Sequence, residues 1–377
     1  MEKGVERLPN TGFAAVMYMF LLGSTLTLPL AAVAGHDAWI SILLAIAVSL
    51  GIVWMYSHLC QLYPGKNLIE IGEELFGVWI GRLIGICYAW YAFHLGVMVV
   101  RNFTELILMV ALPKTPPVVI AAVMVATVLW AAYAGIEVLA RCSIFILGFV
   151  LTEGMFSIIF MGKDFQPSNL LPVIDKGWTP ILQGMTGLIG FPLCETVLFA
   201  MIIPQLNKIE QAKKTVLWTT VAGGLLLLLI NIRNTLILGE LSSRLIYPSY
   251  TAYQYISIAD FIERVEPAVI FTWVMGGFVK ICVCLYVSAK SLTTILSSKR
   301  FRTYLVPLSI LMLLYSRIIY RNNAEMIFFA GEVYQWYVAP FEIIIPLLML
   351  LAAAWAKRKK KPSSLSEEGP IPEVPVT

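Results

Sequence analysis

The stretch GLIGFPLCETVLF, Gly187 to Phe199, decides how this chain folds. It belongs to an apolar run, yet its middle holds two glycines, a proline and a glutamate. In hydrocarbon a proline withdraws a backbone donor, and an unpaired carboxylate is expensive. A plain spanning helix has no use for these residues. The segment reads as a membrane helix interrupted around a site.

Composition sets the surroundings of that helix. The chain has 377 residues, 59% hydrophobic and 13% charged, whereas a soluble domain carries about a quarter charged residues. This is the composition of an all-α polytopic membrane protein. The net charge of +4 is no nucleic-acid signal, because the Lys and Arg residues sit in short loops between apolar runs. The six cysteines, Cys60, Cys87, Cys142, Cys194, Cys282 and Cys284, all fall inside apolar stretches. They form neither a disulfide framework nor a metal-spaced set, and read as small buried hydrophobes.

Apolar stretches long enough to cross about 30 Å of hydrocarbon occur at Thr11–Ala34, Ala38–Leu62, Leu83–Val100, Val118–Ala134 and Cys142–Met161. The second half supplies Met185–Ile203, Thr215–Leu238, Ala268–Ser288, Tyr304–Ile319 and Val333–Trp355, which makes ten expected spans. Lys3, Arg7 and AAVAG at Ala31–Gly35 imitate a cleavable leader. The interruption GSTLTLP at Gly23–Pro29 argues for keeping that segment as the first span. With the N-terminus inside, cytoplasmic segments hold seventeen Lys and Arg residues, five of them in Lys357–Lys361, against seven outside. Both termini are therefore expected in the cytoplasm. Residues 1–356 form the membrane domain, with repeats at 11–161 and 183–355, and residues 357–377 are a basic run and a disordered tail. The basic run is expected at lipid headgroups, and SIADFIERVE at Ser257–Glu266 is expected as an amphipathic outer helix.

The first span carries its own interruption at Gly23–Pro29, and each interrupted helix opens a half of five spans. That arrangement points to a five-plus-five inverted-repeat transporter fold with helices 1 and 6 broken. Unpaired backbone at that depth is tolerated only against protein or a wet cavity. Gly23, Ser24, Thr25, Thr27, Gly190 and Phe191 are thus candidate ligand-binding residues. Glu195 joins them, about 15 Å below the start of its span at Met185. Lys280 in the eighth span and Glu153 in the fifth reach similar depth, and a central Lys demands a partner or a wet cavity. Glu153 and Glu195 are the two partners available, and Lys280–Glu153 is the expected coupling pair.

The third span shows Cys87, Tyr91, His94, Met98, Arg101 and Glu105 at helical spacing. Arg101 and Glu105 stand four apart and are expected to pair. Tyr91 is a candidate ligand contact. His36 and His58 receive no functional reading. No phosphate-cradling loop, metal cluster, cofactor motif or nucleophile with its base is visible, so catalysis is not expected.

Several stretches resemble the spore germination permease family, the B-type membrane subunit of germinant receptors within the amino acid–polyamine–organocation transporter superfamily. They are LPKTPPVVI at Leu112–Ile120, AAYAGIEVLAR at Ala131–Arg141, NLLPVIDKG at Asn169–Gly177 and the GFPLCE segment. ISIADFIERVE at Ile256–Glu266, WVMGGFVKICVCLYVSA at Trp273–Ala289 and EIIIPLLML at Glu342–Leu350 complete the series in order. Where this family often shows an acidic residue, this chain has Ile144. No carboxylate role is therefore carried to the inner end of span five.

The resemblance implies a ten-helix LeuT-like fold in the spore inner membrane. It also implies partnership with a larger A-type membrane subunit and a C-type lipoprotein. The ligand it implies is a small germinant: an amino acid, or a sugar or nucleoside. The alternative on the same scaffold is a proton-coupled carrier of an amino acid or amine, and a third reading is a passive scaffold or pore within a complex.

Overall fold

A computed structural model describes residues 7–23, 25, 29–254 and 266–359. Ser24 and Thr27, the expected outer helix at 257–265 and the tail from residue 360 lie outside the described residues.

With no water to satisfy a lipid-buried backbone, each apolar run must close its hydrogen bonds within itself, and helices follow. In chain order they are α1 (Asn10–Leu22), α2 (Ala38–Leu62), α3 (Leu68–Phe76), α4 (Val78–Val110) and α5 (Pro117–Ala134). Then come α6 (Ile136–Met161), α7 (Trp178–Leu188), α8 (Ala212–Leu238), α9 (Leu241–Arg244) and α10 (Pro248–Tyr253). The last are α11 (Glu266–Ile295), α12 (Arg302–Ile318), α13 (Asn323–Phe328), α14 (Tyr334–Ala339) and α15 (Ile345–Lys359). Among the described residues, eight stretches are long and apolar enough to cross a membrane. Helices α1, with 13 residues, and α12, with 17, are shorter and occupy the first and ninth expected positions. The protein is an all-helical, multi-pass membrane protein.

Both expected interruptions are present. Helix α1 stops at Gly23, and the chain resumes as a 3₁₀ turn at Ala32–Asp37 that leads directly into α2. The sixth segment runs from α7 through a wide turn at Ile189–Leu193 into a tight turn at Cys194–Met201. Phe191 leaves helical geometry (φ −138°, ψ 113°) just before Pro192, whose missing N–H cannot continue the ladder. Near the start of α1 the two segments are tied together. Leu8 N–H donates to Gln205 O (2.8 Å), and Asn207 N–H donates back to Leu8 O (2.9 Å).

Two features went beyond the sequence reading. Helix α3 is a short amphipathic helix set by a capping box. Asn67 accepts from the Ile69 and Glu70 N–H groups, and Glu70 accepts from the Asn67 N–H. The tenth segment begins earlier than expected, at Asn323, and wraps through α13, α14 and α15 with two wide turns between. The cysteine expectation holds in part. Cys60, Cys194, Cys282 and Cys284 are buried, whereas Cys87 is half-buried and Cys142 is exposed on the outward face of α6. That face carries apolar side chains such as Phe145 and Phe149, which suit lipid.

Candidate functional site

The centre of the bundle is where both interruptions meet α11. Gly276 and Lys280 stand one turn apart on α11 and face Gly23. A Cβ on Gly276 would lie 3.2 Å from Gly23 Cα, and one on Gly23 would lie 2.7 Å from Lys280 Cδ. Only glycine lets the end of α1 sit this close to the lysine stem.

Lys280 donates its Nζ hydrogen to Glu195 Oε2, and both side chains are wholly buried. The ammonium also faces the rings of Phe20 at 5.0 Å and Phe191 at 4.8 Å, contacts that suit a desolvated cation. Tyr334 Oη, from α14, donates to Glu195 Oε1 at 2.5 Å. The carboxylate therefore joins three elements: α11, the sixth-segment break and the tenth segment. A second carboxylate lies beyond it. Glu342 Oε1 accepts from Tyr91 Oη at 2.6 Å, and Tyr91 stacks on Phe341 with centroids 5.0 Å apart. Glu342 is fully buried, and its Oε2 has no hydrogen-bond partner among the described residues. Among the described residues, the Lys280 ammonium bonds Glu195 alone, and Glu342 has only the Tyr91 phenol.

A cavity of about 340 Å³ lies beside this network. Its wall comes from residues 29–33 after the first break, from Leu95, Met98, Val99 and Asn102 on α4, and from Gln183 to Phe191. Tyr320 and residues between 326 and 334 close the remaining side. Phe191 and Tyr334 are shared: each lines the cavity on one side and touches the ion pair on the other. Burial pushes the Tyr320 phenol above its ordinary range, so that wall presents a neutral hydroxyl at neutral pH.

The expected site residues divide accordingly. Phe191 lines the cavity. Glu195 does not; expected within the pocket, it sits one layer behind, screened by Phe191 and Tyr334, with no exposed surface. Tyr91 likewise serves Glu342 rather than the cavity. Gly190 packs against the tenth segment, where a Cβ would meet Val338 at 3.0 Å and the Gln335 backbone at 3.2 Å. Its small size admits the tenth segment. Thr25 bonds Leu21 O at 2.6 Å and borders a small separate cavity with Asn231, Asn234 and Ser249.

The expected Lys280–Glu153 pair is not formed. Lys280 is taken by Glu195, while Glu153 shares a small cavity with Arg233 and Thr272. Arg233 in turn bonds Ser157 (2.8 Å) and Asn234 (2.8 Å) and lies over the Tyr253 ring at 5.1 Å. Depth along the sequence placed Glu153 and Glu195 alike, but Glu153 is set in a separate cavity with Arg233. Arg101 and Glu105 do pair, at 3.0 Å. His94 packs in an aromatic cluster, stacked on Trp90 and beside Tyr337.

Tyr334 and Glu342 were not singled out from sequence. Glu342 carried a readable signal, since it is a carboxylate in the middle of an apolar run, as Glu195 is. Tyr334 carried none, because an uncharged phenol in a membrane helix is ordinary.

The profile of a family described as "Spore germination protein" matches residues 7–324. Spore germination protein KB of Bacillus subtilis (strain 168) is 29% identical over 373 residues, covering 98% of this chain and 99% of that protein. Spore germination protein YndE of the same organism is 26% identical over 343 residues, 86% and 89% of the two chains. Among solved structures, MHP1, a nucleobase-cation-symport-1 family transporter with bromovinylhydantoin bound, superposes with TM-score 0.68 at 12% identity over 94% of both chains. MhsT in complex with L-phenylalanine gives TM-score 0.60 at 12% identity, over 92% of this chain and 98% of that one. These likenesses establish a LeuT-type transporter fold.

Proposed function

This chain belongs to the spore germination protein family, and from that premise we propose that it is the B-type membrane subunit of a germinant receptor, holding a small germinant in the central cavity. The observation that carries this reading is the cavity itself. It lies between the two interrupted segments, and a volume of about 340 Å³ falls within the range of small-molecule sites, roughly 300–1,000 Å³. Its wall is mostly apolar and aromatic, with the amides of Asn102 and Gln183, the Tyr320 hydroxyl and the carboxylate of Glu332 among its polar points. No Lys or Arg is among the described residues that line it. An amino acid with an apolar side chain suits this lining. Its ammonium finds a carboxylate and aromatic faces, and its side chain finds Leu95, Met98 and Phe329.

In this reading α1 and α12 join the eight longer stretches to make ten crossings, five plus five, with both termini in the cytoplasm. The receptor sits in the spore inner membrane with an A-type subunit and a C-type lipoprotein. Glu195 acts through Tyr334 and Phe191, positioning the cavity wall rather than touching the germinant.

The test sets uptake of radiolabelled amino acids by the purified chain in proteoliposomes beside germination of a deletion strain. Loss of amino-acid-triggered germination without uptake supports the receptor. Uptake by the chain alone overturns it in favour of the second reading, a proton-coupled carrier. That reading draws on the buried Glu195–Lys280–Tyr334 network, an arrangement able to pass a proton as the wall moves. Normal germination of the deletion strain with every amino acid, together with no uptake by the purified chain, overturns both.

A further inference from the structure

The geometry points to a divalent transition-metal site where the segment after the first break meets the loop before α7, built from His36, Asp37 and Asp175. These residues lie outside the central network and its cavity. His36 Nε2 is 3.2 Å from Asp175 Oδ1 and 3.7 Å from Asp37 Oδ2, and the three side chains offer ligand atoms all within 4.8 Å of one another. The Pro172 carbonyl oxygen lies 2.6 Å from the same ring nitrogen. Three oxygens thus converge on one nitrogen, which carries at most one hydrogen to share among them.

Asp37 supplies the second, independent observation. It occupies the N-cap position of α2, where an aspartate ordinarily accepts from the first free N–H groups of the helix. It makes no such bond. Oδ2, the oxygen 3.7 Å from His36, accepts from the Ile174 N–H (2.9 Å), and Oδ1 has no hydrogen-bond partner among the described residues although the side chain is only 3% exposed. A buried carboxylate with one oxygen bare, on a side chain whose other oxygen approaches an imidazole, has the chemistry of a metal ligand.

The donor set selects the ion class. One imidazole and two carboxylates suit Zn²⁺ or Mn²⁺ rather than a soft ion, which would want sulfur. Metal–ligand bonds of about 2.0–2.2 Å put neighbouring donors roughly 3.2–3.6 Å apart in a tetrahedral site. The observed 3.2 and 3.7 Å are close to that spacing, whereas Pro172 O, 2.6 Å from Nε2, accepts the ring N–H, so an ion must displace that hydrogen bond and its proton. Lys176 borders the cluster: its ammonium lies 3.5 Å from where a Cβ on Gly35 would stand and 3.9 Å from Glu240, and its exposed side chain makes its ion pair with Glu240 rather than with Asp37 or Asp175.

The placement gives the ion a mechanical consequence. His36 and Asp37 close the turn that follows cavity residues 29–33, and Asp175 directly precedes α7, whose far end lines the same cavity. An ion shared between them fastens the two interrupted segments at the end opposite the Leu8–Gln205 tie. The inference stands on these side chains and does not depend on the germinant reading.

The experiment uses the full-length chain, purified without a histidine tag, with Zn²⁺ and Mn²⁺ as the probes. Equilibrium dialysis and elemental analysis should find one ion per chain. Co²⁺ should give the visible absorption of a nitrogen–oxygen site. Asp37→Asn and Asp175→Asn keep side-chain shape and should each weaken binding at least about tenfold, with the elution profile of the folded protein unchanged. Absence of saturable binding by either ion up to millimolar concentration overturns the site. So does binding that persists undiminished in the Asp37→Asn/Asp175→Asn double variant.

Discussion

Lys280 and Glu195 are bonded to one another with no exposed surface on either side chain, fastening the eighth-position helix to the break in the sixth segment. Removing one member strands the other in a low-dielectric interior, which costs about 3–5 kcal/mol. Lys280→Met and Glu195→Gln should each lower the thermal stability and yield of purified protein, and the double variant should recover part of the loss. Lys280→Met combined with Glu153→Gln should show no such recovery. Recovery with Glu153 and strict additivity with Glu195 would falsify the pairing.

The approach of the first break to α11 predicts a sharp dependence on size. Gly23→Ala drives a methyl to 2.7 Å from Lys280 Cδ, and Gly276→Ala presses on the Gly23 backbone. Overpacking of this kind costs about 1–3 kcal/mol. Gly148→Ala on α6, where an added Cβ meets nothing within 4 Å, is the control and should be neutral. Melting temperatures of the three variants in one detergent decide it. Equal values for all three would mean the break is not packed as described.

The cavity can be filled without disturbing its frame. Gly187 lines it, and a Cβ there meets no atom within 4 Å, so Gly187→Leu should insert and fold normally. On the receptor reading it raises the amino-acid concentration for half-maximal germination at least about tenfold, equivalent to 1.4 kcal/mol of lost binding. A normal dose–response at normal abundance would remove this cavity from germinant recognition.

Much of this architecture is legible in the sequence because membrane helices need only length and apolarity. The second span was read as Ala38–Leu62 and is found at those residues. The breaks were legible for a related reason, since Gly23, Gly190 and Pro192 disrupt a helix through their own backbone chemistry. Partnership was not legible. Glu153 and Glu195 lie at like depth, and only the packing of α6 and α11 shows that Lys280 reaches one of them. The same limit hid Tyr334, a neutral residue whose importance comes from where the tenth segment crosses the sixth. It also hid His36, which gained meaning only when the loop carrying Asp175 closed over it. Helix α3 escaped because nine residues with an apolar face are too short to stand out beside full spans.

Glu342 shares the central network with Glu195 but has no ion-pair partner among the described residues. Glu195 has the Lys280 ammonium, whereas Glu342 has one phenol donor and a bare Oε2. An ionised, unpaired carboxylate in such a place is far costlier than a neutral side chain of the same shape. Glutamine is that neutral shape: its amide oxygen can still accept from Tyr91, and its NH₂ takes the place of the bare oxygen. Glu342→Gln should therefore hold stability to within about 1 kcal/mol, in contrast to the larger loss for Glu195→Gln. Tyr91→Phe, which removes the remaining donor to Glu342, should destabilise more than Glu342→Gln does. Thermal unfolding of the three variants gives the ranking directly. If Glu342→Gln proves as damaging as Glu195→Gln, Glu342 is charged in the folded protein and the centre holds a compensating cation beyond Lys280.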